Sequence, residues 1–158
     1  MIVVSDSTPL HYLVLIDAIS ILLDLFGRVV IPQAVVDELQ HVRTPSPVKV
    51  WMNDAPSWLE VKRVSAPLDA ALAVLGAGER QAILLAQELE ADVLLMDDKA
   101  GRQEAWRRNL KVVGTLAVLE EGARRGLVRL PEALARLQQT SYRISPEVLE
   151  SLLGRNRG

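Results

Sequence analysis

The chain has 158 residues, 49% hydrophobic and 24% charged, with a formal net charge of −2. Such a length supports one domain with a substantial core rather than two, and the composition is that of an ordinary globular protein, neither disordered nor fibrous. With no cysteine and only His11 and His41, disulfides, thiolate sites and cysteine nucleophiles are excluded, and a histidine-rich zinc site lacks ligands.

Charge is unevenly spread. Residues 1–60 carry seven Asp/Glu against three Lys/Arg, and residues 102–129 carry seven Lys/Arg against three Glu. That asymmetry suits an acidic centre beside a basic surface, although solvated helix faces could produce it by chance. The longest apolar stretch, Tyr12 to Phe26, is interrupted by Asp17, Ser20 and Asp24 and does not read as a membrane span. The chain opens on a strand-like run with no basic leader, so the expected location is the cytoplasm.

Ile2-Val3-Val4 reads as a short strand, followed at once by Asp6. Ser7 and Thr8 supply hydroxyls, and Pro9 suits the first turn of a helix capped by Thr8. Leu10 to Phe26 reads as one or two helices ended by Gly27. Arg28 to Ile31 is a second strand, and Pro32 opens a helix whose stripe is Val35, Val36, Leu39 and Val42. Glu38 lies on the margin of that stripe and can look inward, whereas Asp37 faces solvent.

Thr44-Pro-Ser-Pro47 reads as a loop, Val48 to Trp58 as an amphipathic or irregular segment, and Leu59 to Val64 as an edge strand. Asp69 to Leu75 looks helical, and a further helix follows Gly76-Ala-Gly78 from Glu79 to Leu89. Its stripe is Ala82, Ile83, Ala86 and Leu89, and Glu79 projects onto the same side. A carboxylate on a core-facing stripe is anomalous, unless it only complements the helix dipole.

Val93 to Met96 is an unbroken apolar run, the signature of a strand covered on both faces, and Asp97 and Asp98 stand where it stops. In open α/β sheets ligands bind at the carboxyl ends of strands. A helix from Lys99 to Asn109 carries Arg102, Arg107 and Arg108; a last strand, Lys111 to Val113, leads to a helix capped by Thr115 and stopped by Gly126. Strands separated by helices throughout imply right-handed crossovers and a parallel sheet. Leu130, Leu134 and Leu137 mark another helix, and Ser145 caps a final one ending at Leu153.

Asp6, Asp97 and Asp98 therefore fall at strand ends, with Glu38 and Glu79 directed inward from neighbouring helices. Five acids without basic partners would repel one another unless a cation resides among them. Oxygen-only ligands favour Mg²⁺ or Mn²⁺, and at carboxylate sites these ions serve phosphoryl and phosphodiester chemistry. Asp97 is the expected nearer ligand, since it ends the apolar run. Asp98, one step into the turn, can instead cap the helix beginning near Lys99.

Five segments, in order, resemble the PIN domain family, in the branch of toxin ribonucleases from prokaryotic toxin–antitoxin pairs (VapC-type). They are Val4-Ser-Asp6-Ser-Thr-Pro-Leu10, Val30 to Leu39, Gly78-Glu-Arg-Gln-Ala-Ile83, Val93-Leu-Leu-Met-Asp-Asp-Lys99 and Val113-Gly-Thr115. The resemblance implies a three-layer α/β/α sandwich around a short parallel sheet, as one domain with a core over residues 1–126 and a helical extension over 127–158. It also implies a Mg²⁺ or Mn²⁺ site and endoribonuclease activity leaving a 5′-phosphate, with RNA as substrate, a small antitoxin protein as partner and a homodimer as assembly.

Carried over residue by residue, the resemblance makes Asp6, Glu38, Glu79 and either Asp97 or Asp98 the catalytic acids, and the end of the apolar run selects Asp97. Asp6, Glu79, Asp97 and Asp98 are then candidate metal ligands, with Ser7, Thr8 and Thr115 in support. Arg102, Arg107 and Arg108 lie on the helix that follows the acidic strand end, and from that position are expected to bind nucleic-acid phosphates. Two positions depart from the family pattern. Many members have Thr and then Ser or Asn after the first Asp, and many have Asp where Glu79 stands. A PIN-like interaction module without catalysis is the competing reading. A dehalogenase-like phosphatase would need a second acid two residues after the first, where this chain has Thr8.

Overall fold

The computed structural model describes residues 1–67 and 69–156. Five short parallel strands form the middle layer: β1 (Val3–Ser5), β2 (Val29–Ile31), β3 (Leu59–Val61), β4 (Val93–Leu95) and β5 (Val112–Val113). Their order is β3-β2-β1-β4-β5, with Val4 opposite Val30, Val3 opposite Val93 and Leu94 opposite Val112. The chain starts in the middle, winds outward to β3, then returns to place β4 against the free side of β1. The strand order therefore reverses between β1 and β4, the place where open α/β sheets bind ligands.

Nine α-helices are described around this sheet: α1 (Ser7–Leu15), α2 (Ile21–Phe26), α3 (Gln33–Leu39), α4 (Ser46–Asn53), α5 (Ala77–Glu88), α6 (Lys99–Arg107), α7 (Thr115–Arg124), α8 (Leu130–Gln138) and α9 (Pro146–Arg155). Alternate strand residues feed opposite cores, as the two-residue period of a strand requires. Val3, Val29, Ile31, Val93 and Leu95 join the larger core with α1–α4, α7 and α8. Val4, Val30, Leu94 and Met96 join the smaller one with α5 and Ala105 of α6. This is the expected three-layer α/β/α arrangement, with α8 and α9 closing the larger core. The expected extension runs to residue 158, and residues 157–158 lie outside the described ones. No described helix is long and apolar enough to cross a membrane.

Several boundaries differ from the sequence expectation. Asp6, not Thr8, is the N-cap of α1, and Pro9 is its third residue. Proline is tolerated there because the amides of a first turn lack intrahelical acceptors anyway. The Pro32 helix stops at Leu39, so Val42 falls outside it and is 80% exposed. Residues 69–75 hold only a 3-10 turn, Ala70–Leu72, in which the Asp69 side chain accepts from the Ala71 amide. Thr115 is the first residue of α7 rather than its cap, with Gly114 in the cap position. α9 continues two residues past Leu153, to Arg155.

Candidate functional site

Asp6 leaves β1 and Asp97 and Asp98 follow β4, so the acids of both strand ends flank the reversal of strand order. The two are stitched together by the Asp6 amide, which donates to the Leu95 carbonyl at 2.9 Å. Asp6 is only 2% exposed, and its Oδ1 is a buried oxygen without a hydrogen-bond partner among the described residues. An unsatisfied buried carboxylate oxygen is costly, and such an exception calls for an explanation such as an ion. Burial pushes the Asp6 carboxyl up to about 8, with Glu79, Glu38 and Asp97 adding repulsion and only the Ser7 backbone amide opposing.

Glu38 comes from the last turn of α3, half-buried, and Asp37 is exposed with Gln33 as its partner. The Ser7 hydroxyl donates to Glu38 Oε1 at 2.8 Å. Thus Ser7 supports Glu38 rather than Asp6; Thr8 is the half-buried second residue of α1. α3 packs against α5, and the open amide of Ala34 at its N-terminus finds Gln81 Oε1 at 3.0 Å. Gly78 makes the close approach possible, because a Cβ there would stand 2.1 Å from Glu38 Oε1.

Glu79 lies in the first turn of α5, half-buried. Burial raises its carboxyl above the usual range, Asp98 and Glu38 raise it further, and the backbone amides of Glu79 and Gly76 pull it down. Its Cγ lies 3.6 Å from where a Gly101 Cβ would be. Glycine at that position also lets the first turn of α6 settle on Met96, whose Sδ would be 2.6 Å from such a Cβ.

The adjacent aspartates part company, as alternation along a strand demands. Asp98 caps α6, its Oδ2 accepting from the Gly101 amide at 2.8 Å. Asp97 turns toward α7. Its Oδ1 accepts from the Thr115 amide at 2.9 Å and its Oδ2 from the Thr115 hydroxyl at 2.5 Å. A third donor, the Tyr142 hydroxyl, reaches Oδ1 at 2.9 Å. Tyr142 has no counterpart in the sequence reading, since a lone tyrosine in the loop between α8 and α9 carries no motif.

The three arginines of the α6 segment are placed unequally. Arg102 lies beside Asp97: a Cβ on Gly114 would stand 2.9 Å from Asp97 Oδ1 and 3.0 Å from Arg102 Nη1. Both residues line a cavity of about 480 Å³ between β5, α7 and α9. Arg107 is exposed and pairs with Glu104 at 3.4 Å. Arg108 is 14% exposed and engaged by Asp69 at 2.9 Å, Glu104 at 3.0 Å and Gln87 at 2.9 Å. Its guanidinium is committed to holding α6 against α5 and the 3-10 turn.

Asp6, Glu38, Glu79 and Asp97 thus share one edge, where the charges of the other three act on Asp6, yet Glu38 and Asp97 are turned to their own partners. Among the described residues no three acidic or imidazole side chains lie close enough to hold one ion between them. The donor chemistry nevertheless fits a hard divalent cation: every candidate ligand is a carboxylate, and the most buried one has an unused oxygen. Asp6 is the ligand with an oxygen to spare for such an ion, and Glu38, Glu79 and Asp97 stand near enough for their charges to act on it.

The fold has a relative among solved structures. A PilT N-terminus domain protein from the hyperthermophilic archaeon Sulfolobus solfataricus P2 matches with a TM-score of 0.50 at 17% identity, over 92% of this chain and 100% of that one. No curated protein matches. The family model described as DUF3368, PIN domain, matches residues 2–157, which span the acidic edge and α8–α9 alike. This chain belongs to the PIN domain family.

Proposed function

We propose that this PIN domain is a Mg²⁺- or Mn²⁺-dependent endoribonuclease that hydrolyses RNA phosphodiester bonds, and the toxin of a toxin–antitoxin pair. A PIN domain is generally a nuclease fold, and PIN domains typically use divalent metals. The observation that carries the reading is Asp6: a buried carboxylate at the reversal of strand order, with an oxygen lacking any partner and three other acids acting on it. When bound, a divalent cation supplies a Lewis acid for the phosphate and a water of lowered pKa. Asp6, Glu79 and Asp97 would hold the ion, and Glu38, kept in place by the Ser7 hydroxyl, would orient the attacking water. Arg102, beside Asp97, neutralises the phosphate of the scissile strand. The partner in this reading is a small antitoxin protein, and the assembly is a homodimer.

Single-stranded RNA incubated with the protein in Mn²⁺, Mg²⁺ or EDTA tests the reaction. Cleavage leaving 5′-phosphate ends, abolished by EDTA and by Asp6→Asn, supports it. A protein that takes up Mn²⁺ and cuts no RNA would instead be a non-catalytic interaction module. The spacing of the acids favours that second reading, since among the described residues it leaves no preformed three-carboxylate cage.

A further inference from the structure

The hydroxyl on Asp97 comes from far along the chain. α8 ends in a turn where the Thr140 hydroxyl donates to the Leu137 carbonyl and accepts from the Tyr142 amide at 3.1 Å. Ser141 is tied back to α1 through the Tyr12 hydroxyl at 2.7 Å. The Tyr142 ring meets the Tyr12 ring edge-on, centroids 5.0 Å apart at 81°, and packs on the larger core. Its phenol is therefore held by a turn, a ring contact and the core before it touches Asp97 at all.

The lone pairs of Asp97 can be counted. A carboxylate has about four acceptor positions, two on each oxygen. Oδ1 uses both, for the Thr115 amide and the Tyr142 hydroxyl, and Oδ2 uses one, for the Thr115 hydroxyl. One position on Oδ2 is left. Without Tyr142 the group would be pinned only by Thr115, with a free position on each oxygen.

We propose that Tyr142 is a positioning residue: its hydroxyl fixes the Asp97 carboxylate and fills the second acceptor position of Oδ1, so that only Oδ2 would keep a position for a divalent cation. The inference rests on the metal-dependent reading above and adds to it a role for the segment between α8 and α9. That segment completes the edge from outside the strand-and-helix units that carry the acids. Partners of this kind, one bond removed from a metal ligand, hold its orientation and typically change metal affinity or activity about 10–100-fold when lost.

The test uses the full chain, the parent and Tyr142→Phe, which keeps the ring and its contact with Tyr12. Mn²⁺ affinity measured by calorimetry should fall about tenfold in Tyr142→Phe, and kcat on RNA should fall while KM changes little. Tyr12→Phe, which loses only the link to Ser141, should bind Mn²⁺ like the parent. Tyr142→Phe binding Mn²⁺ as tightly as the parent overturns the inference, and tighter binding would make the hydroxyl a competitor of the ion. If the parent binds Mn²⁺ and cleaves nothing, the nuclease reading falls while calorimetry still decides the role of Tyr142. A parent that binds no Mn²⁺ overturns both.

Discussion

Gly78 and Glu38 occupy one space: a methyl group on Gly78 would stand 2.1 Å from Glu38 Oε1 and 2.7 Å from its Cδ. Both atoms belong to the end of a side chain that can swing, so the helix need not move, but the carboxylate must leave the Ser7 hydroxyl. Gly78→Ala should therefore separate stability from function. Alanine is worth up to about 1 kcal/mol more than glycine within a helix, which offsets the lost hydrogen bond of about 1 kcal/mol. The expected result is a melting temperature within a few degrees of the parent, with RNA cleavage reduced at least tenfold. A variant as active as the parent would show that Glu38 is not needed where it stands.

Asp6 makes the metal-free protein sensitive to pH in an unusual direction. Its folded carboxyl is raised from 3.8 to about 8, chiefly by burial, so the folded chain keeps a proton that the unfolded chain has already released. Stability then falls as pH rises through that window and is greatest below it. Glu79, also raised, adds in the same sense. Thermal melts of the metal-free protein from about pH 4 to 8 should show this decline, and Asp6→Asn should flatten it and raise the melting temperature near pH 8. Mn²⁺ should stabilise the parent more than Asp6→Asn, because only the folded state holds the ion.

Local signals sufficed for the layers and for most of the acids, because each acid stands next to an element whose apolar run is visible by itself. Val93 to Met96 announces a doubly covered strand, and Asp97 and Asp98 are its immediate neighbours. Tertiary choices were another matter. Whether Ser7 serves Asp6 or Glu38 depends on how α3 docks, and that depends on a missing Cβ at Gly78. Tyr142 meets Asp97 across 45 positions of chain, a distance over which no periodicity or spacing carries information. Arg102 and Arg108 look equivalent in sequence; one is beside the acidic edge and the other is consumed by Asp69 and Glu104.

The adjacent aspartates should respond differently to substitution. Asp98→Ala removes the cap on α6 and should cost about 1 kcal/mol of stability, with metal affinity reduced less than by changes at Asp97. Asp97→Asn keeps the shape of the side chain, and the Thr115 hydroxyl can rotate to accept from the new amide. Its cost should fall on the ion: Mn²⁺ affinity and cleavage lost, melting temperature nearly kept. Calorimetry with Mn²⁺ on both variants decides between them. Loss of binding in Asp98→Ala alone would reverse the assignment.

The arginines provide a test of where RNA runs. Arg102 shares the Asp97 cavity and lies 5.6 Å from the Trp106 ring centre, on the side of α6 nearest the acids. If it contacts a phosphate, Arg102→Ala should weaken binding uniformly across RNA sequences and lower the salt slope of the affinity by about 1. Arg107→Ala should have the smaller effect of an exposed charge, which among the described residues pairs with Glu104. Arg108→Ala should behave as a packing variant: Asp69, Glu104 and Gln87 lose their shared partner, and the melting temperature drops by a few degrees at an unchanged salt slope. Binding isotherms at several salt concentrations separate the three. A salt slope lowered by Arg108→Ala and untouched by Arg102→Ala would put the RNA path on the α5 side of α6, away from Asp97.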